Sequence, residues 1–245
     1  MKQLIAISLF ILTLAGCKKG GDLFKSYGPE TTEKRQVASF RAISAGEKFD
    51  IELKQDSARE GEIELTAGAN VISGYETRVE NGVLVLENTN KFNWVRQLKV
   101  RQKVVIYFRV IDSLSVRGSA KFVANDTIYQ KNKLQIIHNG LEDVELNIRT
   151  NDINLRGENT GGIILRGRCN IFNGTVDDVS FIDNRNLITD DTYFTSFSQE
   201  ASYVEAKNIL GIKVYGNGNV YYSSDPANSF NSKFEAFGKG QIIKQ

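Results

Sequence analysis

The residues whose types could do chemistry are few and scattered. The chain of 245 residues holds one histidine, His138, and two cysteines, Cys17 and Cys169. A catalytic histidine pair and a metal site built on two imidazoles of one chain are therefore excluded. His138 lies in Ile136-Ile137-His138-Asn139-Gly140, which reads as a corner, and a lone corner histidine with Glu142 and Asp143 as its nearest acids is expected to be solvated. Three adjacent acidic pairs, Glu142-Asp143, Asp177-Asp178 and Asp190-Asp191, offer the carboxylates that hydrolases and lyases use. Neighbours on a strand point to opposite faces, so such a pair could converge only in a turn, and solvated turn acids are the expectation. The glycine pairs Gly216/Gly218 and Gly238/Gly240 continue neither to a third glycine nor to Gly-Lys-Ser/Thr, and no Asp-x-Asp-x-Asp-Gly loop is present. They read as turns, and no metal or cofactor is expected.

Binding chemistry is better represented. In Leu98-Lys99-Val100-Arg101-Gln102-Lys103-Val104, strand alternation sends Lys99, Arg101 and Lys103 to one face at a spacing of about 6.5 to 7 Å. With Trp94 upstream, the set could hold an acidic glycan or a lipid head group, the cations supplying charge and the indole a stacking surface. A solvated outer face is the competing reading. A second candidate lies in Leu187 to Tyr203, where Asp190-Asp191-Thr192-Tyr193-Phe194 breaks the rhythm and could form a loop presenting Tyr193 and Phe194 to a ligand. Aromatic rings stacked in the interior are the alternative there.

The cysteines do different work. Lys2 precedes an apolar run from Leu4 to Leu14 that is too short to span a bilayer, and Leu14-Ala15-Gly16-Cys17 resembles the bacterial lipobox. Residues 1–16 are thus expected to be a lipoprotein signal peptide and Cys17 the acylated residue of a membrane anchor, with 17–35 a flexible tether. Lys18-Lys19-Gly20-Gly21 lacks an acidic export cluster, so the outer membrane, on its periplasmic side, is the expected destination. Cys169 is left without a disulfide partner, and alternation with Leu165 and Ile171 reads it as a buried, inert thiol. Asp56-Ser57-Ala58, Asp112-Ser113-Leu114 and Asp126-Thr127-Ile128 resemble an O-glycosylation motif of the Bacteroidota.

Composition says what must position these groups. With 41% hydrophobic and 24% charged residues there is enough core for a folded domain, and a net charge of +2 gives no field that would draw the chain onto nucleic acid. The chain has 21 glycines and 21 asparagines beside 2 prolines, material for many turns. From about Gln36 the apolar period is two: Phe49-Asp50-Ile51-Glu52-Leu53, Val144-Glu145-Leu146-Asn147-Ile148 and Ile153-Asn154-Leu155 are examples. Val83-Leu84-Val85-Leu86 is apolar on both faces and reads as covered on both. Leu114, Leu134, Ile153 and Ile171 occupy comparable strands at intervals of 20, 19 and 18, the length of one coil of three short strands. The expectation is an all-β parallel β-helix over 36–245, with inward columns such as Leu134, Leu155 and Ile171 and with Phe230, Phe234 and Phe237 capping or filling the last coil. Over 36–102, where the spacing is looser, an antiparallel sandwich competes.

Several motifs together carry a family resemblance. Val37-Ala38-Ser39-Phe40-Arg41-Ala42-Ile43, Val79-Glu80-Asn81-Gly82-Val83-Leu84-Val85-Leu86, Leu114-Ser115-Val116-Arg117-Gly118-Ser119 and Gly216-Asn217-Gly218-Asn219-Val220-Tyr221-Tyr222 are similar to the head GIN domain family of bacterial auto-transporter adhesins, a domain of unknown function. The resemblance implies a right-handed parallel β-helix in an exported or lipoprotein context, and it implies no catalytic residue. Adhesion or glycan binding is then the expected role, with a polysaccharide lyase or hydrolase, or a passive spacer, as alternatives.

Overall fold

Phe49-Asp50-Ile51-Glu52-Leu53 alternates apolar and polar residues, and in the computed structural model, which describes residues 26–90 and 100–245, it is a strand with Phe49, Ile51 and Leu53 buried. The same arithmetic builds the rest. Among the described residues the N-terminal part holds β1 (Glu30–Gln36), β2 (Ala42–Ala45), β3 (Phe49–Gln55), β4 (Glu62–Gly68), β5 (Tyr75–Glu80), β6 (Val83–Asn88) and β7 (Gln102–Phe108). Then follow β8 (Ser113–Gly118), β9 (Lys121–Tyr129), β10 (Lys133–Gly140), β11 (Val144–Arg149), β12 (Asp152–Asn159), β13 (Ile163–Val176) and β14 (Ile182–Ser196). The chain closes with β15 (Ser202–Tyr203), β16 (Ile209–Val214), β17 (Val220–Tyr222), β18 (Lys233–Ala236) and β19 (Ile242–Lys244).

Apart from β1, β4 and β5, these strands stack in parallel as a β-solenoid of about 7 turns with about 20 residues between stacked strands. One side of each coil is the ladder β8, β10, β12, the second half of β13, the second half of β14, β16 and β18. A second side runs through β9, β11, the first halves of β13 and β14, β15, β17 and β19. The register shifts in β9/β11 and β13/β14 mark the bend to a short third side, where Tyr129, Arg149, Arg168 and Ile188 are neighbours. Parallel sheets need cover on their inner faces, and the sides cover one another.

The first coil breaks chain order. β2 lies between β6 and β8, and β3 between β7 and β9, all parallel, so later segments close on both sides of an earlier one. Arg41, just before β2, donates through Nε and Nη2 to both carboxylate oxygens of Asp112, just before β8. The end is covered by antiparallel additions, β1 on β4, β4 on β7 and β5 on β6. Over 36–102 the β-helix expectation therefore holds against the competing sandwich, as parallel layers with an antiparallel cap. The folded part also starts before Gln36: the register of β1 with β4 runs from Glu30↔Gly68 to Gln36↔Glu62, so residues 30–35 are strand rather than tether.

Three inward columns fill the solenoid beneath its first side. Leu84, Ile43, Leu114, Ile136, Leu155, Gly174, Phe194 and Ile212 form one, and Leu134, Ile153, Phe172, Thr192 and Leu210 another. The third runs Val116, His138, Gly157, Val176, Ser196 and Val214. Leu155 therefore stacks on Ile136 and Gly174, not on Leu134 and Ile171. Ile171 faces outward at 36% exposure because Asn170 and Ile171 are consecutive outward residues at the bend, which shifts the parity and turns Phe172 inward. Gly174 is required by packing: a Cβ there would lie 2.6 Å from the Phe172 ring. Val83 and Val85 are half-buried, whereas Leu84 and Leu86 are core. Phe230, Phe234 and Phe237 do not fill the last coil. They are exposed, because no described layer lies beyond β18.

Candidate functional site

The basic strand is not a free cationic surface. Lys99 and Trp94 lie outside the described residues. Arg101 is consumed by the protein: Nε donates to Asp50 Oδ1, Nη1 lies 3.0 Å from Glu142 Oε1, and Nη2 donates to the carbonyls of Phe49 at 3.0 Å and Ser119 at 2.8 Å. It is a clamp that joins its own layer to the next three. Lys103 is exposed, 3.8 Å from Glu30, and lines a groove of about 350 Å³ together with Asp50, Glu52 and Lys121. That mixture of signs favours no anion.

The second candidate is not a loop. Leu187 to Ser196 belongs to β14, whose alternation places Phe194 in the interior at 1% exposure and Tyr193 outside at 45%. Only the tyrosine can meet a ligand. His138 is likewise not a corner residue, since β10 runs on through Gly140 and its alternation, Leu134, Ile136, His138, turns the imidazole inward. Nε2 lies 2.8 Å from the Glu142 carbonyl, which can only accept, so Nε2 carries the proton and the buried Nδ1 has no partner among the described residues. Burial holds its pKa below the ordinary imidazole value. Cys169 is buried, and loss of solvation pushes its thiol up to about 12, the opposite of a nucleophile.

The acidic pairs are engaged structurally. Asp143 accepts from the Gly162 N–H at 2.8 Å, Asp178 from the Asn159 N–H at 3.2 Å and Asp191 from Asn208 Nδ2 at 2.9 Å, while Asp190 pairs with Arg168 at 3.0 Å. Glu142 belongs to the Arg101 clamp. Among the described residues no group of three or more His, Cys, Asp or Glu side chains is placed to hold a metal ion.

Stacking builds a site the linear sequence does not display. On the outer surface of the first side, register aligns Gln135, Asn154, Asn173 and Tyr193 in one row and Ile137, Arg156, Thr175 and Thr195 in the next. Together they line a groove of about 500 Å³. Asn173 Nδ2 donates to Asn154 Oδ1 at 3.2 Å, so the amides are aligned and still present free donors and acceptors. The Tyr193 ring lies against Gly211, where an added Cβ would come within 3.2 Å of it, and the residue stays 45% exposed. Amides and hydroxyls beside an exposed aromatic ring can hydrogen-bond and stack on a sugar. Nearby, Phe197, Tyr215 and Phe237 stack along the axis at 4.9 and 4.8 Å. The signal for the amide row was available: Asn154 and Asn173 are 19 residues apart and each follows an inward residue, Ile153 or Phe172.

Fold and surface define a parallel β-solenoid that displays side chains in long outward rows. The chain belongs to the family described as putative auto-transporter adhesin, head GIN domain, which matches residues 39–226. Among solved structures it is similar to a putative adhesin from Bacteroides fragilis, with a TM-score of 0.83 and 19% identity over 90% of this chain and 100% of that one. A putative adhesin from Parabacteroides merdae has a TM-score of 0.62 at 18% identity, covering 90% and 99% of the two chains. A protein from Parabacteroides distasonis described as a putative lipid binding protein has a TM-score of 0.60 at 17% identity with the same coverage. None of the curated proteins matches the chain.

Proposed function

We propose that the protein is a lipid-anchored module of the cell envelope that binds glycans on its solenoid faces and performs no catalysis. Cys17, in its lipobox sequence, carries the acyl chains that hold it to the outer membrane on the periplasmic side. The observation that carries the binding assignment is the row Gln135, Asn154, Asn173 and Tyr193, a polar, neutral strip ending in an exposed ring. The family's adhesin description and the carboxylates tied up in turns and ion pairs support binding over hydrolysis or elimination. Lys103 remains a peripheral contact for an acidic ligand. Arg101 does not, since its donors are spent within the fold.

The test is a glycan array followed by calorimetry on the parent and on Tyr193→Ala. Tyr193 is outside the core, so the variant should melt with the parent while affinity for any array hit falls at least about tenfold, the size of a lost stacking contact. An unchanged affinity would move the ligand off this face. Absence of any hit would remove the glycan assignment.

A further inference from the structure

The third side of the coil carries a different row. Arg149 stands in register with Tyr129 on one neighbouring strand and Arg168 on the other, and Arg168 in turn with Ile188. Beside the row lie Lys131, Asn151 and Asn170, and together they line a groove of about 430 Å³. Two guanidinium-bearing residues on adjacent parallel strands are about 4.8 Å apart at their Cα atoms. Like charges so placed repel, and a fold gains nothing from the pair unless something negative lies against it. Arg168 has Asp190 at 3.0 Å. Arg149 and Lys131 have no ion-pair partner among the described residues. Arg101, of the same residue type, reaches two carboxylates and two carbonyls, so the openness of Arg149 is particular to this place.

The groove is also held in shape independently of those cations. Gln55 donates to the Tyr129 carbonyl and accepts from its N–H, both at 2.8 Å, which fixes the backbone from which the exposed Tyr129 ring projects. Thr150 Oγ1 donates to the Asn132 carbonyl at 3.0 Å, and Gln130 Nε2 to Asp112 Oδ1 at 2.7 Å. Removing the cations should therefore leave the scaffold standing.

We infer that this groove binds an acidic saccharide, with its carboxylate or sulfate received between Arg149 and Lys131 and a sugar face laid on Tyr129. The inference rests on the glycan-binding reading above and gives it a second, charge-selective site. A guanidinium presents paired N–H donors that match the two oxygens of such an anion. The Asn151 and Asn170 amides, 3.4 Å from each other, offer partners for hydroxyls. The lining residues are polar apart from the Tyr129 ring, so a lipid head group would find no apolar channel for its chains.

The experiment is calorimetry at low salt with the full chain against three probes: oligogalacturonate, the same oligomer with its carboxylates reduced to alcohols, and phosphatidylglycerol vesicles. Variants are Lys131→Ala/Arg149→Ala/Arg168→Ala, Tyr129→Ala and Tyr193→Ala, with thermal melts as the folding control. The acidic oligomer should bind at least tenfold tighter than the reduced one. That preference should vanish in the triple variant, affinity should weaken in Tyr129→Ala, and the preference should persist in Tyr193→Ala. Equal binding of both oligomers, or acid preference surviving in the triple variant, overturns the groove and leaves the neutral face intact. Vesicle binding that the triple variant loses, without oligomer binding, reassigns the groove to a membrane surface and overturns the saccharide inference. No binding of any probe overturns it as well.

Discussion

His138 is the chain's single imidazole, so its ionisation can be followed without a second signal. It sits in an inward column between Val116 and Gly157, against Gly161, where an added Cβ would come within 2.2 Å of the ring. Burial disfavours its charged form, so its folded pKa lies below its unfolded value of 6.5. As pH falls below that value the unfolded chain binds a proton that the native state refuses, so stability is complete above it and declines beneath it. Between pH 7.5 and 5.5 stability should therefore fall, and the fall should flatten in His138→Gln. Glu62 is held at about 2, chiefly by its hydrogen bond from Arg59, and Asp112 and Asp183 are lowered by Arg41 and Arg185, so their contribution is lost only at more acid pH. Denaturant midpoints across that range check the prediction, and equal slopes for parent and variant would refute it.

At the scale of the strand, periodicity carried much information and parity across bends did not. Alternation placed Phe49, Ile51, Leu53, Leu165 and Cys169 inward, and the repeat near 20 residues pointed to stacked coils. The reading failed where a local count met a corner. Asn139-Gly140 looked like a turn and hid His138 in the core, and two outward residues at Asn170-Ile171 exchanged the roles of Ile171 and Phe172. The row Gln135, Asn154, Asn173 and Tyr193 was legible only in the 19-residue spacing of its two asparagines: its members meet only after one coil is laid on the next, and register between coils is a property of the stack. The corrected register makes a sharp prediction. Leu155→Asp and Phe172→Asp each lose about 2 kcal/mol or more of apolar burial and add several for an unpaired buried carboxylate, a sum comparable with the stability of a whole domain. Ile171→Asp, on the outer surface, should stay within about 1 kcal/mol of the parent. Thermal melts and soluble yield separate the two classes, and a severe loss in Ile171→Asp would restore the earlier parity.

The whole molecule is a one-dimensional stack with unlike ends. In such arrays stability is approximately a sum over layers and the interfaces between neighbours, so a layer covered on both sides opens at greater cost than a terminal one. β2 and β3 are covered on both sides, by β6 and β7 on one and by β8 and β9 on the other, and Arg41 just before β2 pairs with Asp112 just before β8. That layer assembles only when segments distant in sequence have closed over it, an ordering that costs loop-closure entropy and slows folding relative to sequential coils. At the far end, among the described residues, β18 is paired only to β16 and β19 only to β17, and most of the β18 side chains are exposed. Native-state hydrogen exchange should therefore fall into a gradient. Amides of β2, β3, β8 and β10 should exchange only through opening close to global unfolding, while those of Lys233–Ala236 and Ile242–Lys244 exchange by local fraying at far lower cost. Because the Phe197, Tyr215 and Phe237 stack crosses the last layers, Phe237→Ala should accelerate exchange in β18 and leave β2 unchanged. Protection in β18 equal to that in β10 would mean that the terminal layer is covered in solution and that the stack is longer than one chain.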